Sequence, residues 1–179
     1  MWFNIFYILD LFLFLFPIYF LFFENRKIKF KEILSNFGVK KISFKYFIKH
    51  TFIVFFILLF ISMFINLVFI LFGFTDLGLV TEKIKTLSPF FIVYLLVIRV
   101  FLEEWFFRGF LVYKTGILFS AFLFAAGHYG YGSIVEVVGA FILGLVLAFY
   151  YKKINNIYPL YAAHFLYNLM VILVTFFTI

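Results

Sequence analysis

The chain has no cysteine, which excludes disulfides, thiolate metal sites, a cysteine nucleophile and lipidation through sulfur, and leaves the redox compartment open. Charge is scarce: Asp, Glu, Lys and Arg make up 13% of 179 residues, while 67% are hydrophobic, which excludes an ordinary soluble domain. The first segment, 1–23, lacks the basic stretch and small-residue cleavage site of a signal peptide. It is expected to stay as a membrane anchor with a bend at Pro17. There is no internal repeat and no HExxH, in which one helix would present two zinc-binding histidines.

What is present is apolar helix. With a mean hydropathy of +1.18 the sequence reads as an integral membrane protein, an all-α polytopic membrane helix bundle of about six membrane segments. The segments are expected near 1–23, 51–72, 89–113, 116–128, 134–151 and 157–179. The fourth is too short to span alone, and "GHYGYGS" after it supplies glycines for a tight reversal. The 34 Phe are assigned to lipid contact and packing. Trp2 is read as an interface anchor and Trp105 as packing.

The basic residues set the orientation. Arg26, Lys27, Lys29, Lys31, Lys40, Lys41, Lys45 and Lys49 crowd into 24–50, so this loop is expected in the cytoplasm. Counting crossings puts Lys114, Lys152 and Lys153 on the same side, and Lys83 and Lys85 opposite. The net charge of +7 is then a topology signal that meets anionic lipid, and no nucleic-acid partner is expected. Within the loop, "FKEILSNFG" is read as a surface helix.

Ionisable residues inside apolar segments are costly, about 2.5–3.5 kcal/mol each at a helix centre on insertion scales, and mark functional sites. "FLEEWFFRGF" carries three. Glu104 and Arg108 are i,i+4 and share a helix face, while Glu103 lies about 100° round, with Arg99 four residues before it. Phe124 and His128 share a face on the fourth segment, and His164 and Asn168 on the sixth. At about 1.5 Å per residue, Glu103, His128 and His164 fall in the inner half to middle of the bilayer, so three helices are expected to converge on one cavity open to the cytoplasm.

Two chemistries suit that set. A carboxylate beside a histidine can act as general base on water, with a neutral histidine and an amide donating to the oxyanion. Alternatively, Glu103, His128 and His164 form a possible zinc set with one open position, lowering the pKa of a bound water to about 7. The residue types leave both open.

"EEWFFR" fits EExxxR, "FAAGH" fits FxxxH and "HFLYN" fits HxxxN; in this order, on successive apolar segments, they resemble the CPBP family of CAAX prenyl endopeptidases and bacteriocin-processing or immunity proteins. The resemblance divides the chain into N-terminal membrane helices with a basic loop, 1–87, and a protease core, 88–176. It implies an intramembrane endopeptidase of the cell membrane whose substrate is a peptide or the C-terminus of a prenylated protein. Glu103 would activate water together with His128, and His164 with Asn168 would bind the oxyanion. Glu104, Arg108 and Phe124 would support them. The cofactor is either none or a divalent metal such as zinc.

Other readings stand beside this one. The Glu104–Arg108 pair alone would be structural neutralisation, a lone membrane histidine a packing residue, and Asn168 a bridge between helices. Asp10, Glu136 and Arg99 are read as interfacial or paired, and His50 as an interface residue. A non-proteolytic immunity or scaffold protein keeps the same motifs, and a small proton-coupled carrier uses the same residue types, although no repeated halves support it.

Overall fold

In the computed structural model the described residues are 2–74, 76 and 78–177, the side chains of 2–6 excepted; the Trp2 side chain lies outside them. Every regular element among them is helical. In chain order these are α1 (Trp2–Glu24), α2 (Phe30–Asn36), α3 (Phe44–Leu71), α4 (Gly78–Lys85), α5 (89–115), α6 (Ile117–Ala126), a 3-10 turn (Tyr129–Tyr131), α7 (Ile134–Ile154) and α8 (Tyr158–Phe177). In lipid every backbone polar group must be satisfied internally, so apolar runs of this length fold as helices. Four stretches, Tyr7–Glu24, Phe44–Leu71, Ile134–Ile154 and Tyr158–Phe177, are long and apolar enough to cross a membrane, and the chain is an integral membrane protein. The remaining two expected segments correspond to α5, which is rich in charge, and the short α6.

Local chemistry sets the ends. Ser43, Ser88 and Ser133 accept from Tyr46, Phe91 and Glu136 N–H at the starts of α3, α5 and α7. The Ser43 cap begins α3 seven residues before the expected apolar segment, because 44–50, with Lys45, Lys49 and His50 among aromatic and apolar residues, continue the helix beyond the apolar run. Asn155, at φ 46°, closes α7, and the Asn156 carboxamide accepts from Tyr158 N–H to start α8.

The basic residues gather at one end. Lys114 pairs with Glu24, the Asn156 side chain donates to Lys40 O at 2.8 Å, and Ile157 N–H donates to Gly38 O at 3.1 Å. At the other end Lys83 reaches the carbonyls of Gly130 and Tyr131, and Asp76 accepts from Ser133 and Ile134.

α2 departs from the expected surface helix. Its Ile33 and the following Phe37 are fully buried, and the Phe37 ring lies edge-on to Trp105, centroids 4.7 Å apart. The approach is possible because residue 109 is glycine: a Cβ there would stand 2.9 Å from Phe37 Cβ. The polar "K-E-S-N" positions of α2 remain outward while its apolar face plugs the bundle. Gly144 likewise lets α7 close on α6, with Phe124 Cδ1 3.1 Å from where a Cβ would be.

The main surprise lies within α5, which is wound as π-helix over Leu95–Arg99 and Glu104–Val112. Widened turns of this kind concentrate at functional sites. They release carbonyls from the regular ladder, and Ser120 of α6 donates to Phe107 O at 2.6 Å. The second wide stretch is buried throughout, from Glu104 to Val112.

Candidate active site

Glu103 and Glu104 sit where α5 changes from α to π winding, and they face different neighbours. Glu104 is fully buried. Its Oε1 meets Arg108 Nη1 at 3.2 Å and accepts from His164 Nδ1 at 2.9 Å, tying α5 to α8. The Arg108 approach is an ion pair without hydrogen-bond alignment, since no Arg108 nitrogen has an acceptor among the described residues. The guanidinium instead lies 4.2 Å above the Phe124 ring, where the π face attracts the cation.

Phe124 is thus the floor of the site. Its ring is 4.6 Å from that of His128 and 5.9 Å from that of His164, and its carbonyl lies 2.8 Å from His128 Nδ1. A carbonyl only accepts, so Nδ1 of His128 carries a proton, and the tautomer with its one N–H there has Nε2 as an acceptor. For His164 the carboxylate of Glu104 plays the same part. A neutral His164 directs its one N–H to Glu104, so donation from Nε2 requires the doubly protonated ring, whose charge Glu104 balances.

Glu103 is buried as well, 9% exposed, and accepts from Arg99 Nε at 2.9 Å through Oε1. It lies within electrostatic reach of both His164 and His128. Asn168, one turn beyond His164, is half-buried, and its side chain is bonded to none of the described residues.

Two neighbours were not singled out as site residues in the sequence. Tyr131, in the turn read only as a reversal, has its phenol within electrostatic reach of Glu103 and Glu136. Asp10 of α1, read as interfacial or paired, is buried and binds Arg99 and Tyr94. Their positions depend on chain reversal and helix docking, so no spacing rule would have found them.

Among the described residues no group of three His, Asp or Glu side chains is arranged to hold a metal ion. Glu103 Oε1 is held by Arg99, and His164 Nδ1 and His128 Nδ1 each face an oxygen, which leaves Glu103 Oε2 and the two Nε2 atoms as the donors of the expected zinc set.

Residues 85–170, from the end of α4 to the middle of α8, match the family model described as Type II CAAX prenyl endopeptidase Rce1-like. No curated protein and no solved structure matches the chain.

Proposed function

From the chain's membership of the Rce1-like family of type II CAAX prenyl endopeptidases, we propose that it is an intramembrane endopeptidase in which Glu103 activates water for attack on a peptide bond. The observation that carries this is a buried Glu103 carboxylate with both His128 and His164 within electrostatic reach.

In this mechanism Glu103 takes a proton from water, aided by His128, whose Nε2 is kept as an acceptor by the Phe124 carbonyl. The hydroxide adds to the scissile carbonyl carbon. His164, backed by Glu104, and the Asn168 amide donate to the oxyanion. Collapse breaks the C–N bond, and the proton held by Glu103 passes to the leaving amine. Arg108 and Phe124 keep Glu104 and the two histidines in place. Each step uses a group present in the chain.

The proposed topology has α5 crossing the bilayer and α6 entering from the basic end and stopping part-way, so that the site opens to the cytoplasm. A substrate of this site is a peptide, with a prenylated C-terminus as the first candidate, presented from the membrane.

The test is cleavage of a prenylated CAAX peptide and its unprenylated control by purified protein in liposomes, with Glu103→Gln alongside and with and without a zinc chelator. Cleavage lost in the variant and unaffected by chelator supports glutamate-activated water. Sensitivity to chelator overturns the metal-free mechanism, and full activity in Glu103→Gln overturns the role of the base.

A further inference from the structure

We propose that α1, which lies outside residues 85–170, completes the active site: Asp10 anchors Arg99 in the position from which Arg99 fixes Glu103. Asp10 and Arg99 are thus positioning residues for the reaction, an inference that rests on Glu103 being its base.

A carboxylate in the apolar run "YILDLFLFLF" is costly and calls for a partner. Asp10 has two. Arg99 Nη1 binds Oδ1 and the Tyr94 hydroxyl donates to Oδ2, while only 5% of the residue is exposed. The same guanidinium turns its Nε to Glu103 Oε1 at 2.9 Å. Because the fork is planar and rigid, anchoring Nη1 fixes the direction of the Nε–H. Arg99 therefore takes one oxygen of Glu103 and leaves Oε2 bonded to none of the described residues, available to a water. Two carboxylates also share one cation. Asp10 draws on the charge of Arg99, so Glu103 is held in place without being fully neutralised.

The docking of α1 does not depend on Asp10. Phe16 packs against Phe106 and Phe110, and Phe14 against Trp105, whose Nε1 also approaches Phe14 O at 3.4 Å. Asp10→Asn preserves shape and these contacts while removing the charge, so effects on position and on folding are separable.

The experiment measures kcat and KM for the prenylated CAAX peptide, and thermal unfolding, for the full chain in liposomes. The variants are Asp10→Asn, Arg99→Gln, their double and Glu103→Gln. We expect kcat to fall about 100-fold in Arg99→Gln and about tenfold in Asp10→Asn, with KM unchanged, as misplacement of a catalytic group produces. The double variant is expected to equal Arg99→Gln alone, because Asp10 acts through Arg99. Additive effects, or a fall in Asp10→Asn that merely tracks loss of folded protein, would overturn the proposal. So would full activity in Asp10→Asn and Arg99→Gln while Glu103→Gln is inactive, with the base assignment intact. Failure of wild-type protein to cleave the peptide would overturn both readings, and unfolding would then report separately whether Asp10 and Arg99 are coupled.

Discussion

Glu103 and Glu104 are adjacent in sequence and both buried, yet they bond to different neighbours of α5. Glu103 looks towards α1 through Arg99 and Asp10, and Glu104 towards α8 through His164. Glu104 is fully enclosed, with a cation on its own helix and a histidine across the interface. Each keeps its Oε2 without a hydrogen-bond partner among the described residues, but that of Glu104 is sealed inside the protein. The contrast is between a carboxylate fully enclosed beside a buried cation and one left with some exposure, and it predicts that they fail differently.

The largest expected effect is at Glu103. Glu103→Gln keeps shape and removes the base, so cleavage should fall by about 1,000-fold or more while unfolding changes little. Glu104→Gln should do the reverse. It leaves Arg108 buried without its counter-charge, a loss of about 3–5 kcal/mol in stability, and activity should fall less than in Glu103→Gln. Peptide cleavage and thermal unfolding on the two variants check the contrast. A variant pair in the opposite order would exchange the roles of the two carboxylates.

Asn168 sharpens the comparison from the α8 side. If its amide donates to the oxyanion, Asn168→Ala should reduce kcat about 100-fold with unfolding unchanged. An equal loss of stability instead would make Asn168 a bridge between helices.

How far these contrasts could be read from the sequence depends on which are local. Membrane class, helical segments and the basic end follow from composition and Lys/Arg placement, and the contacts of Lys114 with Glu24 and of Asn156 with Lys40 O bring that end together. Residues i,i+4 apart, such as Arg99 with Glu103 and Glu104 with Arg108, meet as helix geometry requires. The bond from His164 to Glu104 was not legible, because the π winding from Glu104 onwards takes more residues per turn than a regular α-helix and so shifts which side chains share a face, and nothing in "EWFFRGFLV" marks it. Asp10 was visible as a lone charge, but its partner depends on how α1 docks. The plugging of α2 hung on one small residue, Gly109, whose meaning appears only with Phe37 against it.

That contact gives a prediction on packing alone. Gly109→Ala places a Cβ 2.9 Å from Phe37 Cβ and 3.2 Å from its carbonyl oxygen, so α2 must shift. The expected cost is about 1–3 kcal/mol, as for other overpacked sites. Since Phe37 touches Trp105 rather than either carboxylate, the protein that remains folded should keep its kcat.

The smallest expected effect concerns the turn that carries His128 and Tyr131 past Glu103. Lys83 holds it from outside, its ammonium 2.7 Å from Gly130 O and 2.8 Å from Tyr131 O. The contact is exposed, where such charged interactions contribute about 1 kcal/mol or less. A second tether shares the load: Asp76 accepts from Ser133 at 2.9 Å and from Ile134 N–H at 2.6 Å, at the start of α7. Lys83→Met should therefore lower cleavage by about fivefold at most. Asp76→Asn in the same chain should deepen the loss, because the turn then lacks both a cation and an anion to hold it. If the two changes leave kcat untouched, the turn is held by the ring of His128 against Phe124, and Tyr131 owes its place beside Glu103 to that packing.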